Sequence, residues 1–103
     1  MTILLFQEDE TQTNVVLKSL TELGITVETF TDPKTFLLRV NAIKPALCLI
    51  DLESKYQPAL IAVIKSIRKV LGAHPPIITI VKETDQATSS TAMAAGANAF
   101  LGK

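Results

Sequence analysis

The strongest constraint on the fold of this chain is a regular alternation of short apolar runs with segments of helical periodicity. Five apolar runs have the length that is typical of strands, and the second and fourth of them are also rich in β-branched residues: Ile3–Phe6, Ile25–Phe30, Ala46–Ile50, Ile77–Val81 and Ala99–Leu101. Between these runs, apolar residues recur at spacings of three and four, which predicts helices. The predicted order of elements is therefore β-α-β-α-β-α-β-α-β.

Capping and breaking residues support this division of the chain. Three of the predicted helices have a start signal, at Asp32-Pro33, Gln57-Pro58 and Thr84-Asp85. All four have a stop signal, provided in turn by Gly24, Pro45, Gly72 and Gly96. Each helix is thus separated from the next strand by a residue that does not continue it.

The alternation predicts an α/β fold with a doubly wound, parallel, five-stranded sheet. Parallel strands that are covered by helices on both faces are unbroken apolar runs in sequence, and the crossovers that join them are right-handed. In such sheets, ligands bind beyond the carboxyl ends of the strands. The residues that follow each strand are therefore the candidates for function.

Length and composition set further limits. The 103 residues are expected to form a single domain over residues 1–103, and 48% of them are hydrophobic. Ten basic and ten acidic residues cancel, so the net charge provides no field for binding nucleic acid. No apolar segment approaches the ~20 residues that span a bilayer. With the single Cys48 and no signal-peptide pattern, these features lead us to expect a cytoplasmic protein and a buried, unreactive thiol.

Charged residues follow four of the five predicted strands. Glu8-Asp9-Glu10 comes after the first strand, Asp51 and Glu53 after the third, Lys82 after the fourth and Lys103 after the last. Clustered carboxylates suit a hard cation such as Mg²⁺, which takes oxygen ligands. With such a cation, Asp51 could act as a nucleophile toward phosphorus, and a lysine could neutralise a phosphoryl oxygen.

Three segments resemble the receiver (CheY-like) domain of bacterial two-component response regulators. Residues 44–52, KPALCLIDL, resemble its third strand and phosphoacceptor; Pro76-Ile77-Ile78 resembles the start of its fourth strand; residues 94–103, AAGANAFLGK, resemble its last turn, strand and lysine. The similarity covers essentially the whole chain. It implies a flavodoxin-like receiver topology and a non-enzymatic, phosphate-accepting signalling domain.

The resemblance also implies roles for individual residues. Asp51 corresponds to the phosphoacceptor and Lys103 to the lysine that contacts the phosphoryl group. The implied Mg²⁺ ligands are Glu8, Asp51 and the backbone carbonyl of Glu53, with Asp9 as a further candidate. Val81 and Phe100 occupy the two switch positions. The implied partner is a histidine kinase or a phosphotransfer protein, with no direct contact to nucleic acid or membrane.

Departures from the family pattern weaken this assignment in specific ways. Gln7 stands where receivers have one of two adjacent acids, so one charge of the metal site is missing, and Mg²⁺ binding is expected to be weak. Val81 stands where they have Ser or Thr, and it has no hydroxyl to donate to a phosphoryl group. The next residue is usually small but here is Lys82, whose ammonium could reach the acidic site and partly replace a metal.

As a third departure, the fifth helix of the family is expected to be absent, since the sequence ends at Lys103. Either truncation or a partner that covers the exposed face would account for this, and a homodimer is one hypothesis. Two functions remain open: a phosphorylatable receiver, or a pseudo-receiver that binds proteins without phosphorylation. A nucleotide- or flavin-binding domain is disfavoured because no glycine-rich loop follows the first strand. Tyr56 and the Lys65/Arg68/Lys69 group are interpreted as a solvated helix face, and His74 as a loop residue.

Overall fold

A computed structural model describes residues 1–8 and 18–102. The strands are β1 (Thr2–Phe6), β2 (Thr26–Phe30), β3 (Leu47–Asp51), β4 (Ile77–Val81) and β5 (Ala99–Gly102). The helices are α1, of which residues 18–22 are described, α2 (Pro33–Ile43), α3 (Gln57–Leu71) and α4 (Gln86–Ala95). The predicted order is confirmed. Val16 and Leu17, which contribute to the periodicity of the first helix, lie outside the described residues.

All neighbouring strands in the sheet are parallel, and their order is β2-β1-β3-β4-β5. The strand order reverses at β1. From β1 the chain goes to β2 at one edge of the sheet, and it then crosses to the other side of β1 to form β3. The carboxyl ends of β1, β3 and β4 are therefore neighbours, as the doubly wound prediction requires. This is the switch point at which ligands bind in sheets of this type.

The main core lies between one face of the sheet and helices α2, α3 and α4. Side chains alternate across a strand, so Leu4 and Phe6 of β1 point to the same face as Cys48 and Ile50 of β3. The helical residues that pack on them share full or nearly full burial: Phe36, Val40, Leu60, Val63, Ile64, Ile67 and Ala92. The apolar stripes predicted for α2 and α3 thus face the sheet.

The edge strands differ from the expectation of burial on both faces. All four residues of β5 are exposed, with Leu101 at 54% of its maximal accessible area, and β2 is at most half-buried. Each edge strand has a neighbour on one side only, so its side chains have fewer packing partners. An apolar run of strand length therefore predicted the pairing of β5 correctly but not its burial.

Arg68 corrects the interpretation of α3 as carrying a solvated basic face. Its guanidinium donates to the carbonyl oxygens of Gly96 (2.8 Å), Pro75 (2.8 Å) and Gly72 (3.1 Å) and to Oδ1 of Asn98 (2.6 Å). The same Asn98 oxygen accepts a hydrogen bond from the backbone of Ile77. Arg68 therefore joins the loops at the amino ends of β4 and β5, opposite the candidate site.

Tyr56 is a second correction, because it is not on a solvated face. Its ring packs edge-on against Phe6, with 6.3 Å between ring centroids, and it precedes the first residue of α3. Cys48, by contrast, is fully buried as expected. Among residues 1–8 and 18–102, no helix has both the length and the apolar character needed to cross a membrane.

Candidate functional site

The register of the sheet brings the predicted site residues to one edge. Phe6 of β1 pairs with Ile50 of β3, and Asp51 pairs with Ile80 of β4. Gln7, the residue after β1, consequently lies beside Asp51, the last residue of β3. The sequence placed the end of β3 one residue earlier, but the pairing of Asp51 with Ile80 makes it part of the strand.

Asp51 is a buried carboxyl group whose two oxygens have different surroundings. Only 3% of the residue is exposed. Its Oδ1 accepts a hydrogen bond from the backbone N–H of Glu53 at 2.9 Å, and the Nε2 of Gln7 is 3.5 Å from its Oδ2. The first contact is a normal hydrogen bond, and the second is at the long limit for one. The backbone therefore fixes the orientation of the carboxyl group, and Gln7 adds a weak interaction.

Gln7, which the sequence predicted to stand in place of an acid, is itself buried, at 7% exposure. It brings a neutral amide to Asp51 instead of a second negative charge. Like charges so close together would oppose ionisation of one another. The site thus avoids a repulsion that a cation would otherwise have to offset.

Glu8 is exposed and is held by the loop between β3 and α3. Its Oε1 accepts a hydrogen bond from the hydroxyl of Ser54, whose Oγ in turn accepts one from the backbone N–H of Tyr56 at 3.0 Å. The side chain of Gln57 donates to the carbonyl of Leu52 at 2.9 Å and closes the same loop. Ser54 and Gln57 were missed by the sequence reasoning, since neither belongs to a pattern of charged residues.

Lys82 reaches across the site from the end of β4. Its Nζ lies 3.5 Å from Oε1 of Glu53, so a cation from one loop pairs with an acid from the next. The two residues help to line a cleft of about 220 Å³, together with Leu52, Ser54, Gln57, Val81, Asp85 and Thr88. The cleft is lined by residues that directly follow Asp51 in the chain, and its lining carries charges of both signs.

Val81 and Phe100, which the sequence predicted as switch positions, lie on the face of the sheet that carries α4. Val81 is 3% exposed, and Thr79 points the same way but is completely buried, with its hydroxyl 3.4 Å from the carbonyl oxygen of Ala99. Phe100, at 52% exposure, lines a separate cleft of about 250 Å³ with Val81, Lys82 and the start of α4. The Thr79 hydroxyl therefore contacts the neighbouring strand β5 inside the sheet.

The oxygen atoms at this edge fit a hard cation only in part. Glu8 and Asp51 provide two carboxylates, and the backbone of Glu53 is adjacent to Asp51. Within residues 1–8 and 18–102, no three side chains of His, Cys, Asp or Glu come together as a metal-binding group. A site built from this part of the chain therefore has fewer charged ligands than one with a second acid at position 7. Asp9 and Lys103, predicted as a metal ligand and as a phosphoryl contact, lie outside the described residues.

Solved structures with the same fold cover this chain almost completely. They include a protein assigned as a response regulator in Chloroflexus aurantiacus (21% identity, TM-score 0.86, covering 99% of this chain and 84% of that one) and a two-component response regulator from Clostridium difficile (17%, 0.85, 100% and 83%). A third is the receiver domain of a sensor histidine kinase from Pseudomonas aeruginosa PAO1, which has a magnesium ion in its active-site cleft (22%, 0.79, 99% and 84%).

Comparison with protein-family models and with curated proteins found no match. The structural matches cover at least 99% of this chain and therefore extend over all five of its strands. The chain has the fold of response-regulator receiver domains.

Proposed function

We propose that this chain is a signal-receiving domain that accepts a phosphoryl group on Asp51 and relays the signal through protein–protein contacts. The observation that carries the proposal is the position of Asp51, a buried carboxylate at the end of β3 with Oδ1 fixed by the Glu53 N–H at 2.9 Å. The other oxygen of the carboxyl group, Oδ2, lies 3.5 Å from the Nε2 of Gln7. An oriented carboxylate of this kind is the group that forms acyl phosphates.

In the proposed step, a carboxylate oxygen of Asp51 bonds to phosphorus while the bond between phosphorus and the donor breaks. The electron pair of that broken bond leaves with the donor, which is the phosphohistidine of a kinase or phosphotransfer protein, or a small acyl phosphate. Bound Mg²⁺ would neutralise the charge that develops on the phosphoryl oxygens. Asp51, Glu8 and the backbone of Glu53 are its proposed ligands.

Other residues of the chain contribute charge and shape. Lys103 is the proposed partner of a phosphoryl oxygen, as the family resemblance implies. Glu8 is held toward the loop after β3 by Ser54, which keeps its carboxylate near the cleft mouth. The absence of a second acid at Gln7 leads us to propose that Mg²⁺ binds weakly.

A second candidate function has its own support. Gln7 brings its amide to within 3.5 Å of Asp51 with no added charge, and Val81 offers no hydroxyl to a phosphoryl group. These features suit a pseudo-receiver that binds other proteins through this fold without phosphorylation. The exposed side chains of β5, including Phe100, provide a surface for such contacts.

The two functions differ in one measurable property, the gain of a phosphoryl group. Incubation of the folded protein with acetyl phosphate and Mg²⁺ should produce a species heavier by one phosphoryl group, and Asp51→Asn should abolish it. If the wild-type protein gains no such mass, the pseudo-receiver is the better account.

A further inference from the structure

We propose that Lys82 transmits the state of Asp51 to helix α4. Its ammonium pairs with Glu53 while Asp51 is an unmodified carboxylate, and it moves to the phosphoryl oxygens once Asp51 is modified. The inference rests on the proposed function of Asp51 as the phosphoacceptor. Val81 has no hydroxyl to contact the phosphoryl group, and in this inference Lys82 makes that contact instead.

Lys82 follows the strand that pairs with the end of β3. Asp51 pairs with Ile80 on adjacent strands, so Glu53 and Lys82 each lie two residues beyond this pair along the chain. Adjacent strands are about 4.8 Å apart, and the Lys82 Nζ already spans this gap to reach Oε1 of Glu53 at 3.5 Å. The ammonium therefore pairs with the same residue whose backbone N–H holds Asp51.

The ion pair between Lys82 and Glu53 is weak enough for Lys82 to exchange one partner for another. The side chains of Lys82 and Glu53 are 63% and 40% exposed, so water competes for both charges. A phosphoryl group has a charge of about −1.5 to −2 and three strong acceptor oxygens, compared with −1 for the Glu53 carboxylate. A lysine has a long stem with freely rotating donors, and it follows the stronger charge.

The backbone of Lys82 is connected to the start of α4. The backbone carbonyl of Lys82 accepts a hydrogen bond from the N–H of Asp85 at 2.9 Å. The Asp85 side chain caps the helix, because it accepts hydrogen bonds from the backbone N–H of Thr88 at 3.0 Å and from its hydroxyl at 2.6 Å. A displacement of Lys82 toward Asp51 therefore acts on Asp85, the residue that caps the start of α4.

The test compares amide chemical shifts in α4 before and after phosphorylation of ¹⁵N-labelled protein. Four proteins are compared: wild type, Lys82→Gln, which removes the charge, Lys82→Arg, which retains it, and Lys69→Gln, a control that neutralises an exposed lysine in the last turn of α3. Each spectrum is taken at an equal phosphorylated fraction, measured by intact mass. A difference in the rate of modification therefore does not affect the comparison.

We expect the wild type and Lys69→Gln to show shifts in the first turns of α4 on phosphorylation. Lys82→Gln should lose these shifts, and Lys82→Arg should recover them. Equal shifts in Lys82→Gln and wild type would overturn the role of Lys82 while leaving Asp51 as the acceptor. A wild type that gains no phosphoryl group would overturn the proposed function, and this inference with it.

Discussion

The side-chain amide of Gln7 lies against the carboxyl group of Asp51, with Nε2 3.5 Å from Oδ2 and both residues buried. This relationship distinguishes the site from one in which a second carboxylate occupies the same place. A neutral neighbour lowers the repulsion that Asp51 experiences, but it also removes one charged ligand from any bound cation. Metal affinity and stability without metal should therefore change in opposite directions when position 7 is charged.

The first prediction concerns Gln7→Asp. The added carboxylate should increase the affinity for Mg²⁺ on the order of tenfold, because ligand charge count governs the affinity of oxygen-ligand sites. Without Mg²⁺, the same variant should melt at a lower temperature, because two acids then face each other. Thermal unfolding across a Mg²⁺ titration measures both effects.

Gln7→Asn is the matched control for this prediction, since it has the same size as Gln7→Asp but no charge. It should show no gain in Mg²⁺ affinity. Equal Mg²⁺ responses in the two variants would contradict the assignment of this edge of the sheet as the cation site.

The second prediction concerns Arg68, whose guanidinium binds three backbone carbonyls and Asn98. Arg68→Met should lower the free energy of unfolding by about 2–4 kcal/mol, because partly buried acceptors lose a charged donor. Arg68→Lys should recover little of this, since one ammonium cannot reproduce the planar fork. Urea denaturation measures the effect.

Lys69→Met provides the control for Arg68, because Lys69 is the adjacent, exposed basic residue of α3. Its unfolding free energy should stay within about 0.5 kcal/mol of wild type, as is usual for surface substitutions. An Arg68→Met protein as stable as Lys69→Met would show that the hydrogen bonds of Arg68 contribute nothing measurable.

The third prediction is a pH dependence that arises at the start of α4. Hydrogen bonds from the Thr88 side chain and backbone lower the pKa of Asp85 below its ordinary value of 3.8. Its folded pKa is thus below its unfolded pKa, so ionised Asp85 stabilises the protein above the unfolded value. That contribution is lost as the pH falls through the lowered folded pKa.

Asp85→Asn tests this directly, because Asn can cap a helix but does not ionise in this range. The difference in melting temperature between wild type and Asp85→Asn should shrink as the pH falls below 3.8. A difference that stays constant down to the lowest pH at which both fold would argue against the capping role of the carboxylate.

The fourth prediction concerns Cys48, which is fully buried in the core. Burial raises the pKa of its thiol to about 12, so the reactive thiolate is scarce near neutral pH. Modification by a thiol reagent should therefore follow unfolding, with labelling appearing over the same urea range as the loss of helical circular dichroism. Rapid labelling of the native protein would contradict the buried position.

Much of the fold was predictable because strand and helix patterns differ in period. The ranges Ile77–Val81 and Ala99–Leu101 were located to within one residue, since flanking Pro and Gly residues mark their limits. Ile25 was assigned to a strand, but its N–H bonds to the carbonyl of Leu20, which makes it the end of the helix turn. Only the hydrogen bonds distinguish these two roles for a β-branched residue.

The site was predictable in its charged residues and less so in its polar ones. The position of Asp51 follows from the strand pattern, and the reach of Lys82 toward the acids was anticipated from its place after β4. The bond between Ser54 and Glu8 depends on the path of the loop after β3, which leaves no periodic signal. Arg68 was assigned to a solvated face because its acceptors, Gly96 and Asn98, are distant in sequence.

The most direct test of the central proposal is the intact mass of the folded protein after incubation with acetyl phosphate and Mg²⁺, measured beside Asp51→Asn. We predict a gain of one phosphoryl group in the wild type and none in Asp51→Asn, with circular dichroism showing that both are folded. A folded wild type with no gain, or an equal gain in Asp51→Asn, would contradict the assignment of Asp51 as the phosphoacceptor.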